Sequence, residues 1–134
     1  MYKLSYIKFE EEDFDLYYKI VNSDRVMHYI LGCASTLERS KEKFKNILEV
    51  NASHALGGYF KVYDRSQLIG LAKLENYIKE DDTFEVGYVL MEEFWGIGYG
   101  STVCKDLILF AKQHDIAKYI IGLIHPENIA SRKY

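Results

Sequence analysis

Proline and cysteine are both scarce in this chain. A single proline in 134 residues, together with an aromatic content of 15%, excludes the composition that is typical of disordered segments. The two cysteines, Cys33 and Cys104, are too few for a disulfide framework. Neither Cys-x-x-Cys nor His-x-x-x-His spacing occurs, so the sequence predicts no metal site.

Long apolar runs and a strong charge of either sign are also missing. Because no stretch of about 18 apolar residues occurs, we expect no membrane-spanning helix and no membrane partner. The first residues lack the pattern of a signal peptide, and we therefore expect a cytoplasmic protein. The formal net charge of −3 argues against binding to nucleic acid, because nucleic-acid-binding domains are usually basic.

The remaining composition is that of a folded domain. Of the residues, 49% are apolar and 28% are charged, a balance that can fill one core. At 134 residues, the chain is predicted to form a single domain, residues 1–134.

Hydrophobic periodicity predicts both strands and helices. Strand patterns occur at 4–9, 59–63, 68–76 and 84–91, and a nearly continuous apolar run indicates a strand buried on both faces at 119–124. Helical spacing indicates five helices. One begins at Glu11, a short one covers 25–31, and one follows Ser35 as its N-cap. A fourth ends at about His114, and a fifth begins near Glu127. Short connections favour an antiparallel meander of the three central strands. With a β–α–β unit near the end, this predicts an α/β (α+β) fold whose mixed, mostly antiparallel sheet is flanked by helices.

A glycine-rich segment lies between the strand at 84–91 and the following helix. It reads Phe94-Trp95-Gly96-Ile97-Gly98-Tyr99-Gly100-Ser101. Glycines allow the backbone to approach a ligand closely, and a helix start offers N–H groups and a partial positive charge, so a phosphate site is predicted. A simple tight turn is the alternative. A dinucleotide-binding loop is disfavoured by the incomplete G-x-G-x-x-G spacing, and a Walker loop is excluded because no Gly-Lys-Ser/Thr occurs.

Two blocks of the sequence resemble a known enzyme family. Residues 85–90, Glu-Val-Gly-Tyr-Val-Leu, and the segment 94–100 are similar to the GNAT superfamily of acyl-CoA-dependent N-acetyltransferases, in particular its RimJ/RimL-like branch. The segment 126–133, Pro-Glu-Asn-Ile-Ala-Ser-Arg-Lys, resembles the Asn-x-x-Ser motif of that branch. Trp95 stands where the general loop pattern of the superfamily has Gln or Arg, and this suits the same branch.

The resemblance implies that the chain binds acetyl-CoA. Loop amides would hold the CoA pyrophosphate, β-strand backbone would pair with the pantetheine arm, and one asparagine side chain would bind that arm. The cofactor-binding residues implied in this way are Val89, Leu90, Met91, Trp95, Gly96, Ile97, Gly98, Tyr99, Gly100, Ser101 and Asn128.

The resemblance also implies catalytic residues. Acyl transfer to an amine needs a base, an N–H donor for the oxyanion and an acid for the leaving thiolate. Glu85 is the expected base, an amide near Leu90 or Met91 the expected oxyanion donor, and Ser131 the expected acid. A surface role for Glu85 and a backbone-bonding role for Ser131 are the alternatives. Cys104 is interpreted as a packing residue.

The sequence therefore predicts an N-acetyltransferase that transfers an acetyl group to a primary amine, such as a protein N-terminus, a polyamine or a small-molecule amine. The acidic patches 80–82 and 92–93 favour a cationic acceptor. The alternative is a non-catalytic acyl-CoA-binding or regulatory module. Relative to the family, the last two strands are expected to be lacking, so that the strand at 119–124 would be uncovered and favour a homo-oligomer.

Overall fold

A five-stranded sheet organises the fold. The computed structural model describes residues 2–23, 27, 36–53, 57–76, 83–113 and 119–122. The strands lie in chain order across the sheet: β1 (Leu4–Lys8), β2 (Gly58–Asp64), β3 (Gln67–Asn76), β4 (Thr83–Leu90) and β5 (Tyr119–Gly122). The first four pair antiparallel, and β5 pairs parallel with β4. The predicted mixed, mostly antiparallel sheet is confirmed.

The described helices are α1 (Phe14–Val21), α2 (Leu37–Ser53) and α3 (Tyr99–Gln113), with 3-10 turns at Glu11–Asp13 and Glu92–Phe94. The prediction of Ser35 as the N-cap of α2 is wrong. Thr36 caps this helix, because its Oγ1 accepts a hydrogen bond from the Arg39 N–H at 3.2 Å. The helices expected at 25–31 and from Glu127 lie outside the described residues, apart from the helical Met27.

Helices cover both faces of the sheet, since consecutive strand residues point to opposite faces. Tyr6 of β1 donates a hydrogen bond to Asp106 of α3 at 2.6 Å, so α3 covers the face on which Tyr6 lies. Lys61 of β2 points to the other face, where it forms an ion pair of 2.8 Å with Asp13 at the start of α1. The sheet is therefore a central layer between α3 and the other two helices.

An aromatic cluster fastens α1 and α2 to their face. The Phe44 ring of α2 lies 5.5–6.0 Å from the rings of Phe9, Phe14 and Tyr17, measured between centroids. Phe9, Tyr17 and Phe44 are all buried. Burying an aromatic ring of this size contributes about 1.5–3 kcal/mol, so the cluster sets the position of both helices over the sheet.

The carboxyl end of β4 extends beyond its described pairing with β5. In the described residues the last β4–β5 register pair joins Val86 to Gly122, whereas β4 itself continues to Leu90. Of the strand expected at 119–124, residues 119–122 are described as strand. None of the helices in the described part of the chain combines the length and apolar character needed to cross a membrane.

Candidate active site

The glycine-rich loop joins the end of β4 to the start of α3. Gly96 and Gly98 have φ angles of +74° and +97°, which residues with a Cβ rarely adopt. Residues 96–98 are exposed, and α3 begins directly after them at Tyr99. The conformation of this loop therefore depends on glycine at both positions.

The start of α3 presents backbone donors beside this loop. The first hydrogen bond of the helix runs from the Thr102 N–H to the Gly98 carbonyl, at 3.2 Å. The N–H groups of Tyr99, Gly100 and Ser101 precede it and lie in the first turn, where a helix supplies no carbonyl partners. Together with the positive end of the helix dipole, these donors suit a phosphate group.

Several polar groups of the expected cofactor-binding set are already bonded within the protein. The Met91 N–H donates to the Ile69 carbonyl at 3.0 Å, and the Trp95 N–H donates to the Glu92 carbonyl at 3.1 Å. The Trp95 indole N–H donates to the Leu90 carbonyl at 2.9 Å. Trp95 thus fastens the loop to the end of β4, a structural role that its place in the motif did not reveal.

The bond from Met91 also determines which β4 amides face away from β3. In an antiparallel pair of strands, hydrogen-bonded pairs of opposite residues alternate with non-hydrogen-bonded pairs. The backbone N–H and C=O groups of the non-hydrogen-bonded pairs point away from the partner strand. Because Met91 bonds to Ile69 and Leu90 is in register with Gly70, the N–H and C=O groups of Leu90 point away from β3. The same alternation turns the Tyr88 N–H outward. The outward direction of these amides was missed at the sequence level because only the strand register identifies it.

Gly100 brings α3 close to this edge of β4. A Cβ atom at position 100 would lie 2.5 Å from the Tyr88 hydroxyl oxygen, so a larger residue there would displace the Tyr88 side chain. The Tyr99 side chain points into the protein, where its hydroxyl donates to Asp64. This hydrogen bond, with a smaller effect of burial, raises the pKa of Tyr99 to about 12. The ligand-facing part of Tyr99 is therefore its backbone.

Glu85 lies on the sheet face that α1 and α2 cover. It is 7% exposed, and its carboxylate forms an ion pair with the Lys73 ammonium. Glu75 is its register partner on β3, and Lys73 also lies 3.6 Å from the Glu75 carboxylate. Lys73 therefore separates two carboxylates that would otherwise repel each other across neighbouring strands. The alternative of a surface role for Glu85 is wrong, because the residue is buried.

The polar contacts continue from Glu75 to α2. The Tyr59 hydroxyl donates to Glu75 at 2.7 Å, and the Lys43 ammonium donates to the Tyr59 hydroxyl at 3.3 Å. Burial, with the bond to Glu75, raises the pKa of Tyr59. Burial lowers the pKa of Lys43 against the opposing effect of Glu75. The sequence signal for this network was the pair of charged residues at alternate positions of β3, Lys73 and Glu75.

The other predicted site residues do not add to this geometry. Asn128 and Ser131 lie outside the described residues. Cys104 is buried in α3, and burial raises the pKa of its thiol, which disfavours the nucleophilic thiolate. Within the described ranges, no group of three or more His, Cys, Asp or Glu side chains could hold a metal ion.

Solved structures share this fold. A GNAT-family acetyltransferase from Bacillus anthracis is 23% identical, with 94% of this chain and 72% of that chain covered and a TM-score of 0.76. The Salmonella typhimurium acetyl transferase that modifies the N-terminal serine of ribosomal protein L7/L12 is 14% identical. The match covers 96% of this chain and 74% of that chain, with a TM-score of 0.76. A spermidine N-acetyltransferase from Vibrio cholerae in complex with CoA and spermine is 19% identical. The match covers 84% of this chain and 66% of that chain, with a TM-score of 0.61. At these identities the likeness establishes the fold.

The family itself follows from the sequence match. The family model described as an acetyltransferase (GNAT) domain matches residues 3–134. That range includes β4, the glycine-rich loop and the start of α3. The chain therefore belongs to the GNAT family of acetyl-CoA-dependent N-acetyltransferases.

Proposed function

We propose that the chain binds acetyl-CoA along the outward edge of β4 and the glycine-rich loop, and transfers the acetyl group to a primary amine. The observation that carries the proposal is a row of backbone donors in two parts. Its strand end is the outward N–H group of Leu90, and its loop end is formed by the first-turn N–H groups of α3. The proposed cofactor-binding residues remain Val89, Leu90, Met91, Trp95, Gly96, Ile97, Gly98, Tyr99, Gly100, Ser101 and Asn128.

The pyrophosphate of CoA suits the loop end of this row. Its charge is opposite to the partial charge of the helix start, and the donors are backbone groups fixed in place by the fold. The open space beside Gly96, where an added Cβ would meet nothing within 4 Å, supports close approach of a bulky ligand. Met91 and Trp95 contribute by shaping the loop, because their N–H groups are bonded inside the protein.

The thioester carbonyl would lie at the strand end of the row. Leu90 is the proposed oxyanion donor, because the competing Met91 amide already donates to Ile69. An N–H group held by the sheet needs no reorientation when negative charge develops on the carbonyl oxygen, which lowers the barrier.

The proposed base, Glu85, acts through water. Glu85 precedes Leu90 by five residues, which is roughly 17 Å along an extended strand. A carboxylate side chain with one water does not span that distance, so the ammonium proton would reach Glu85 along a chain of water molecules. Ser131 is the proposed acid that protonates the CoA thiolate.

The proposed acceptor is a cationic primary amine, such as a protein N-terminus or a polyamine, as expected of a RimJ/RimL-like enzyme. The exposed Glu92 and Glu93 beside the loop support a cationic partner. A panel of peptides, polyamines and small amines, scored by release of free CoA, tests this. Acetyl-CoA binding without release of CoA by any amine would instead favour the non-catalytic binding module.

We further propose that residues 1–134 act as one domain in the cytoplasm and assemble with a second copy. β5 is the last strand in the order of the described sheet, and an edge strand pairs readily with another chain. Cell fractionation and light scattering across a dilution series test these two proposals. Recovery with membranes, or a monomer at every concentration, would contradict them.

A further inference from the structure

Tyr2, which precedes β1, contacts the glycine-rich loop from the opposite end of the sequence. Its hydroxyl donates a hydrogen bond to the Ile97 carbonyl at 2.6 Å. Its ring lies 4.2 Å from the Tyr99 ring, centroid to centroid. A Cβ at Gly98 would be 3.5 Å from the Tyr2 ring. Tyr2 therefore contacts Ile97 and Tyr99, and its ring lies beside Gly98 between them.

The sheet holds Tyr2 in place. Two residues after Tyr2, Leu4 is the register partner of Asp64 at the end of β2. Asp64 in turn accepts the hydrogen bond from the Tyr99 hydroxyl. The two tyrosines, whose rings are tilted by 34° to each other, are thus anchored to the same strand pair, one through the backbone and one through a side chain.

We propose that Tyr2 is a positioning residue for acetyl-CoA, which holds the glycine-rich loop in the conformation that binds the CoA pyrophosphate. The inference rests on the proposed function, because it assigns the loop to the cofactor. It adds a residue outside both sequence blocks that carry the family resemblance. Its action is indirect, since the Tyr2 hydroxyl is bonded to the loop backbone.

The physical reason is preorganisation. Glycines with positive φ are free to leave that conformation, so an unrestrained loop would adopt it only part of the time. The apparent affinity for a ligand falls in proportion to the fraction of protein in the binding-competent state. The Tyr2–Ile97 hydrogen bond is exposed to solvent, so its loss affects the loop more than the stability of the core.

Three variants separate positioning from general stability. Tyr2→Phe keeps the ring and removes the hydroxyl, and Tyr2→Leu removes the aromatic contact as well. Tyr18→Phe is the matched control, because Tyr18 is a half-buried tyrosine of α1 that stacks on Phe14 at 5.8 Å, away from the loop. Calorimetry gives the acetyl-CoA affinity of each variant, steady-state kinetics gives both KM values and kcat, and thermal unfolding gives stability.

For Tyr2→Phe we expect acetyl-CoA affinity to fall roughly 3- to 10-fold, the factor that one ordinary hydrogen bond is worth. The KM for acetyl-CoA should rise equally, with kcat, the KM for the amine and the melting temperature unchanged. Tyr2→Leu should bind more weakly still, and Tyr18→Phe like the unmodified protein. Unchanged affinity in Tyr2→Phe, or parallel losses in kcat, amine KM and melting temperature, would overturn the positioning role alone. Absence of acetyl-CoA binding by the unmodified protein would refute the proposed function and this inference with it.

Discussion

Replacing Glu85 and Lys73 singly and together tests whether the buried carboxylate is a base or only a structural charge. Glu85→Gln removes the proton acceptor but keeps the size of the side chain. Lys73→Met removes the ammonium group that pairs with Glu85 and lies 3.6 Å from Glu75. The double variant removes both charges of the ion pair. An exposed glutamate of α2, Glu49, provides the control Glu49→Gln.

The expected magnitudes follow from the burial of the pair. Breaking a fully buried ion pair by removing one partner costs about 3–5 kcal/mol. Glu85 is 7% exposed, but the Lys73 side chain is 26% exposed, so water screens part of the loss. For Lys73→Met we therefore expect a loss of about 1–3 kcal/mol, which lowers the melting temperature by roughly 4–12 °C in a chain of this size. In the double variant no unpaired charge remains at position 85, and part of this stability should return.

The variants should rank differently by activity than by stability. If Glu85 accepts the proton of the amine, Glu85→Gln lowers kcat by roughly 10²–10⁴-fold with little change in acetyl-CoA affinity. The double variant should remain equally inactive although its stability is partly restored. The assays are release of free CoA, calorimetry with acetyl-CoA, and thermal unfolding. A folded Glu85→Gln variant with full kcat at saturating amine would refute the base assignment, and a double variant no more stable than Lys73→Met would refute the energetic coupling.

Three further outcomes are expected. Gly98→Val should abolish acetyl-CoA binding in calorimetry while the fold persists by circular dichroism, because valine is strained at a φ of +97°; equal affinity would remove the loop from the binding site. The Tyr99–Asp64 bond raises the pKa of Tyr99 from 10.0 to about 12, so its stabilising effect is complete below pH 10 and is lost as the pH rises to 12. Tyr99→Phe should therefore lose less stability than the unmodified protein between these two pH values, and an identical loss would contradict the coupling. Light scattering should detect a dimer or larger assembly that dissociates on dilution, and substitutions on β5 should weaken it; a monomer throughout would exclude the edge contact.

Local patterns were sufficient to predict the strands and the loop. The connections at 64–67 and 77–82 are too short for a crossover, so the meander of β2, β3 and β4 had to be antiparallel. The alternation in β4 and the glycines after it are local features, and the observed strand starts and ends within a residue of the prediction. The N-cap of α2 was missed by one residue, because Ser35 and Thr36 are both good caps and only backbone geometry distinguishes them.

The sequence by itself determined the elements, the glycine-rich loop and the residues that identify the family, since each depends on neighbours along the chain. Only the tertiary structure decided that Lys73 pairs with Glu85, that the amides of Tyr88 and Leu90 face outward, and that Tyr2 reaches the carbonyl of Ile97, 95 residues away. These contacts depend on which strand residues are opposite each other. A shift of one residue in the register would exchange the two faces of β4 and reverse the direction of every amide, without changing the hydrophobic pattern of the other strands.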